Sequence, residues 1–339
     1  NPDLFPVIQK ELADYPHARE FASLDGNCFF KAALENPNLW DRLADSAPDT
    51  EILRKKLVSK LGELAEPSSP FYAMLLMDGD RLGALLQEHA DKTKFISRSL
   101  NQFSLQVPSL IEEGNGITVF AGGDDVLALL PLENALTTAI KLRSFYLKAF
   151  TNNQIPRATI SGAIVYAHFN TPLTEVYHEA QQLLSNEAKD KTGRDSLAVT
   201  VWKSAGKVLT WSAPWKIIID KFMNFLQYFQ KDLPGEKKLK EFNSSFFYNI
   251  QSRLALFFEK ESNLSAFSIQ DVQDLLTAEY VKSRGPETDR EKAKETMGRL
   301  FELCRRYWRN QEGKICTDEK RMHLDSLFLT KFLVEKGVE

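Results

Sequence analysis

The sequence predicts an α+β protein: a ferredoxin-like layer of strands and helices, then an all-α helical bundle, with a short helical segment in front. Three observations predict it. Strand-length apolar runs alternate with helix-spaced ones between residues 71 and 206. The stretch Glu66-Pro67-Ser68-Ser69-Pro70 breaks the chain just before them, and strand signals fade from Trp211 onward.

Residues 1–69 are helical in pattern, with Ile52, Leu53, Leu57, Leu61 and Leu64 spaced for one helix face. Residues 71–206 form the mixed layer. Phe71–Met77 is a buried strand, followed by helical stretches near 81–90 and 98–112. Ile117–Ala121 and Val126–Leu130 are strands joined by the tight turn Gly122-Gly123-Asp124-Asp125, where glycine supplies positive φ. Asn134–Phe150 is a helix with Leu136, Ile140 and Leu147 inward; Ala158–Ala167 is a strand, Leu173–Ala188 a helix and Leu197–Trp202 a last strand. This βαββαβ order is ferredoxin-like and is expected to leave one sheet edge or face open to a substrate. Residues 211–339 are expected to be all helix. Ile218, Phe222, Phe225, Leu226 and Phe229 mark one amphipathic helix, and Val272, Leu275, Leu276 and Tyr280 a second. Met297, Phe301, Cys304 and Trp308 mark a third, which favours Trp308 in the core and the neighbouring arginines of Arg305–Arg309 in solvent over a contact of that run with RNA through charge and stacking.

Composition narrows the function. At 339 residues and 43% hydrophobic, the chain has material for one large core or two ordinary ones. A net charge of −3 gives no field to hold nucleic acid, so any RNA must meet a local basic face or arrive through another subunit. Cys28, Cys304 and Cys316 lack metal spacing and fit a reducing compartment, so a cytoplasmic location is expected, with neither a zinc site nor a disulfide framework. No apolar run reaches spanning length and no signal peptide is visible, so no membrane partner is expected. Asn1 in place of a methionine suggests a fragment or a processed chain.

Two acidic clusters carry the chemistry. Asp124 and Asp125 sit at the mouth of an apolar hairpin, where burial gives a carboxylate nothing. Asp78-Gly79-Asp80 ends the first strand, before a helix start. If that strand pairs beside the hairpin, Asp78 comes within coordinating reach of Asp124 and Asp125. Three acids on one site are tolerable when cations neutralise them, and hard oxygen donors suit magnesium or manganese. Two-metal phosphoryl-transfer sites hold their ions about 3.5–4 Å apart on such carboxylates. The competing reading is a pair of unrelated aspartate-rich turns, which the second cluster makes the weaker one.

Met77-Asp-Gly-Asp-Arg-Leu-Gly-Ala-Leu-Leu86, Ala121-Gly-Gly-Asp-Asp-Val-Leu-Ala-Leu-Leu-Pro131, Ser161-Gly-Ala-Ile-Val165, Pro172-Leu173 and Ala188-Lys189…Gly193-Arg194 occur in this order. Together they resemble the second palm domain of the large subunit of type III CRISPR effector complexes, the III-B (Cmr) branch in particular. The likeness covers residues 71–206 well; residues 211–339 are similar in kind to the helical domain that ends those subunits, and residues 1–69 to part of the inter-palm region. The resemblance implies a palm related to GGDEF nucleotide cyclases that joins ATP into cyclic oligoadenylate messengers when target RNA pairs with guide RNA, in antiviral defence. It implies that Asp78, Asp124 and Asp125 are catalytic and hold Mg2+ or Mn2+. The backbone around Gly79, Asp80 and Arg81 would approach the triphosphate, Gly122 and Gly123 would let a nucleotide lie close, and Lys189 would bind phosphate. Three residues separate Lys189 from Gly193 where GGDEF enzymes usually have two, so Lys191 or Arg194 is an alternative for that role. Implied partners are a guide-RNA-binding subunit, a small helical subunit, and guide and target RNA through the complex.

The resemblance has gaps. No His-Asp pair of the family's nuclease domain occurs in the chain, and its first palm and zinc motif are also missing. Because two nucleotides must face each other, the isolated chain is expected to be weak or inactive. Two rivals stand: a GGDEF-type diguanylate cyclase, against which the turn ends Asp-Asp, and a catalytically silent assembly scaffold, against which all three acids and both hairpin glycines are retained.

Overall fold

The computed structural model describes residues 34–36, 50–63, 69–155, 157–203, 206–231, 249–250, 269–285 and 288–335. The chain divides into two compact units, Asn1–Ser69 and Pro70–Glu339. In the first, helix α1 (Thr50–Glu63) buries Leu57, exposes Ile52, and fixes the Leu34 carbonyl with Arg54 Nη1 at 2.8 Å. Leu64 lies outside the described residues.

The second unit is built on a six-stranded sheet. Its elements in order are β1 (Phe71–Gly79), α2 (Leu82–Glu88), α3 (Thr93–Glu113), β2 (Ile117–Gly122), β3 (Asp125–Pro131), α4 (Ala135–Asn152), β4 (Ile160–His168), α5 (Leu173–Gln182), a π-helical run (Leu183–Lys191), β5 (Ser196–Lys203) and β6 (Gly206–Pro214). The strand order is β2-β3-β1-β4-β5-β6, and every pairing is antiparallel except β4 with β5. The first four positions are the ferredoxin-like arrangement predicted; β5 and β6 extend it past β4.

Alternation along β1 explains its unbroken apolar sequence. Phe71, Ala73, Leu75 and Met77 face the core formed with α3 and α4, through Phe103, Val107, Leu142 and Tyr146. Met74 faces the other way, with Ala163, Val165 and Ala198, onto Val176, Ala180 and Leu184 of α5 and the π run. Strands covered on both faces read as continuous hydrophobic runs. Of the two openings expected, an edge or a face, the structure leaves an edge. Among the described residues, apolar side chains are exposed on both edge strands: Ile117, Val119 and Phe120 on β2 and Val208 on β6.

Residues 211–339 also differ from the all-helix expectation. Trp211 belongs to β6, and its buried indole packs at 4.7 Å from the Phe222 ring. After β6 come a π turn (Ile218–Phe222) running into α6 (Met223–Lys231), then α7 (Ile269–Arg284) and α8 (Arg290–Leu303), the last capped by the Asp289 carboxylate on the Glu291 and Lys292 amides. The third predicted helix stops at Leu303. Arg305–Arg309 is instead strand β7, paired antiparallel with β8 (Ile315–Met322), before the final helix α9 (Asp325–Val334). Trp308 accordingly leaves the Phe301 helix face and sits half-buried in a hairpin. Among the described residues, no helix is long and apolar enough to cross a membrane.

Candidate metal and nucleotide site

Sheet register builds the site. Because Met77 pairs with Val126, the next residue on β1, Asp78, comes beside Asp125 at the start of β3. The β2–β3 connection is a two-residue turn, Gly123 and Asp124, closed by the Gly122–Asp125 pair. Gly123 carries φ +61° and Asp124 does not share the positive sign, a distribution that fits a II′ turn and demands glycine first. Ligand oxygens of Asp78, Asp124 and Asp125 all lie within 4.8 Å of one another. Among the described residues, this is the one group of three or more His, Cys, Asp or Glu side chains close enough to hold an ion.

Packing fixes Asp124. A Cβ on Gly79 would stand 2.4 Å from Asp124 Oδ2 and 2.8 Å from the Tyr146 hydroxyl, so only glycine lets the aspartate reach its place. The Asp124 carboxylate is pushed above its ordinary range chiefly by burial and then by the Asp125 charge, while its own amide and that of Gly79 pull it down. Asp125 is likewise raised by burial. Beneath them the phenol of Tyr146, on α4, is buried; desolvation and the charges of Asp124 and Asp80 all resist its ionisation, so it stays a neutral hydroxyl. Hard carboxylate oxygens, crowded and partly desolvated, are the donor set magnesium or manganese prefers, so the residues fit the implied ions.

Lys189 enters from the opposite layer. The π-helical run widens the helix by one residue, with the Thr192 amide donating to the Glu187 carbonyl five residues back at 2.9 Å. That wide turn absorbs the extra residue between Lys189 and Gly193. Lys189 Nζ forms an ion pair with Asp78 Oδ2 and lies 3.4 Å from the Gly79 carbonyl. Burial, then the Arg194 charge, push its ammonium down to about 8, with Asp190 acting the other way. Lys191, the alternative, is exposed and pairs with Glu187 at 2.5 Å.

Asp80 does not take the place expected of it. Its amide donates to the Thr159 carbonyl at 2.9 Å, so that N–H is not available to a triphosphate. Its carboxylate is buried, accepting from Ser161 Oγ at 2.7 Å, Thr159 Oγ1 at 2.8 Å and the Asp195 amide at 2.9 Å. Asp80 is a latch that joins β1 to β4 and to the chain entering β5. Arg81 is exposed at φ 53° and opens α2, and Gly122 lies under the Phe120 ring, which comes within 2.8 Å of where a Cβ would stand.

Sequence reasoning missed a second network. Gly193, Arg194 and Asp195 run at φ 86°, 71° and 44°, a costly stretch for residues carrying a Cβ. It is held from several sides. Arg143 of α4 donates twice to Asp195 Oδ1 (3.0 and 2.8 Å), and Arg309 of β7 donates to Oδ2 at 2.6 Å. The Arg309 amide also donates to the Thr192 carbonyl at 2.8 Å. These arginines carry no local motif; only the fold brings them together. Tyr146 likewise carries no local signal that ties it to the acids.

Residues 71–198 match the model of the Cas10/Cmr2 second palm domain. This stretch is therefore similar to the second palm domain of type III CRISPR large subunits. A curated relative, the CRISPR system Cmr subunit Cmr2 of Pyrococcus furiosus, is 28% identical over 227 residues, covering 58% of this chain and 26% of the relative. The chain thus spans about a quarter of that relative's length. Among solved structures, a type III-B Cmr-beta complex bound to cognate target RNA overlaps 90% of this chain and 42% of its own at 15% identity and a TM-score of 0.49. A Csm1–Csm4 cassette in complex with cA4 overlaps 71% and 38%, at 17% identity and a TM-score of 0.43. At these scores neither says anything of what this chain binds.

Proposed function

We propose that this palm is the nucleotidyltransferase centre of a type III CRISPR large subunit, joining ATP into cyclic oligoadenylates with two divalent ions when target RNA is bound. The observation that supports it best is the convergence of Asp78, Asp124 and Asp125 within 4.8 Å, from a strand end and a turn some 45 residues apart in sequence. Magnesium or manganese held there would supply the charge that activates a ribose hydroxyl and offsets the leaving pyrophosphate. The chain's own residues do the rest. Asp124 is held in place by Gly79 and stands over the neutral Tyr146 hydroxyl. Lys189 brings a positive charge to the same ground, suited to a triphosphate. The exposed β2 edge leaves one side of the hairpin open for a second nucleotide-bearing domain. Partners, guide and target RNA among them, belong to this proposal.

The test uses the assembled complex with target RNA, ATP and magnesium, with products identified by mass spectrometry. Asp124→Ala with Asp125→Ala is expected to abolish oligoadenylate synthesis while RNA-guided assembly persists. Guanylate products from GTP would point to the diguanylate rival. Undiminished synthesis by the double variant would end the assignment.

A further inference from the structure

Lys189 occupies ground that the proposed ions need. Its Nζ pairs with Asp78 Oδ2 and approaches the Gly79 carbonyl at 3.4 Å, while Asp78 is one of the three carboxylates that form the cation cluster. An ammonium and a divalent ion on one carboxylate repel each other at close range and compete for its charge, so each weakens the other's hold. The lysine is also committed to this place. Its side chain is largely buried, at 17% exposed, and its backbone sits in the wide turn that the Thr192–Glu187 hydrogen bond closes. The segment beyond it is fixed by Asp80, Arg143 and Arg309 through Asp195, so the lysine has a short stem to swing on and not a mobile loop.

We propose that Lys189 is a resident cation of the acidic site, competing with a divalent ion for Asp78 and yielding it when a triphosphate offers the ammonium better oxygens. This rests on the metal reading above and adds to it an order of events. Ion and triphosphate bind with positive coupling, because the phosphates draw Lys189 away and so release Asp78 to the ion. By reciprocity the ion strengthens triphosphate binding, and the site is guarded against ions arriving alone.

The experiment measures Mn2+ binding to the full chain by electron paramagnetic resonance, without nucleotide. Lys189→Met keeps an unbranched apolar stem and removes the charge; it is expected to bind one Mn2+ about tenfold more tightly than wild type. Lys191→Met removes one charge two residues away, on a side chain exposed to solvent and paired with Glu187, and is expected to stay within about twofold of wild type. With ATP added, wild type is expected to gain the tighter ion binding that Lys189→Met already has. Equal Mn2+ affinity in wild type and Lys189→Met, or equal tightening by Lys191→Met, overturns the competition but leaves the metal site standing. Mn2+ binding that survives Asp124→Ala with Asp125→Ala in the Lys189→Met background overturns the metal site as well, as does no binding in any variant with or without ATP.

Discussion

Gly79 shows how much the site asks of one small residue. It ends β1, and its missing side chain is the space that Asp124 Oδ2 fills. Its amide also favours the charged form of that carboxylate, against the burial that raises it. Gly79→Ala would drive a Cβ into Asp124 from one side and the Tyr146 hydroxyl from the other, and neither moves easily: one sits on a two-residue turn and the other is buried. The variant is expected to lose about 1–3 kcal/mol of stability, the usual cost of overpacking, and, under the proposed metal site, to weaken Mn2+ binding at least tenfold by displacing Asp124. Chemical denaturation and the Mn2+ titration read these separately. A variant with wild-type ion affinity would mean that Asp124 is not held by this contact. Gly123 is constrained differently, by φ +61° with no atom within 4 Å of a Cβ, so Gly123→Ala acts on the turn conformation alone.

At the scale of elements, the convergence of the three acids was legible because it depends on two local signals. A strand ending in Asp78 and a hairpin turning at Asp124 bring their acids together as soon as β1 and β3 pair in register, and that register follows from alternation of buried side chains. What could not be read depends on distant pairing. Trp211 and Trp308 both lie at helix-compatible spacing from their apolar neighbours, yet β6 forms because β5 offers it an edge, and β7 because β8 folds back on it. Local periodicity records neither partner. The same hairpin supplies the support of the Lys189 segment: a Cβ on Gly193 would meet the Arg309 carbonyl at 2.3 Å, so the two backbones touch. Arg309→Ala leaves Asp195, 11% exposed, with Arg143 as its remaining guanidinium partner. Loss of one charge-assisted bond at such a site is expected to cost about 1–3 kcal/mol. The affinity for ATP should fall with it, as the left-handed stretch after Lys189 loosens. Urea denaturation and equilibrium ATP binding check the two effects. A variant of unchanged stability would show the hairpin to be a bystander.

At the scale of the whole molecule, the C-terminal elements belong to the same compact unit as the sheet, and α9 is the seam. Phe332 packs edge-on against Phe71 at 5.0 Å, at the beginning of β1, and Leu327, Leu329 and Leu333 are buried. The first residue of that helix, Asp325, is raised to about 6, chiefly by burial and further by the Glu187 charge, against the lowering effect of a hydrogen bond from the Thr210 amide on β6. The seam therefore responds to pH with a definite sign. A carboxyl that binds its proton more tightly folded than unfolded adds stability that is fully present below about pH 4 and is lost as pH rises through about 6. At pH 8 the charged, desolvated Asp325 works against the docking of α9. Asp325→Asn keeps an oxygen for the Thr210 amide and removes the charge. It is expected to be more stable than wild type by about 1–3 kcal/mol at pH 8, the gap closing as pH falls toward 4. Cys304, buried beside this helix and pushed up to about 12, does not titrate in that range. Denaturation midpoints of both proteins between pH 4 and pH 8 decide it: a difference that does not change with pH would show that burial of this carboxyl is not what strains the seam.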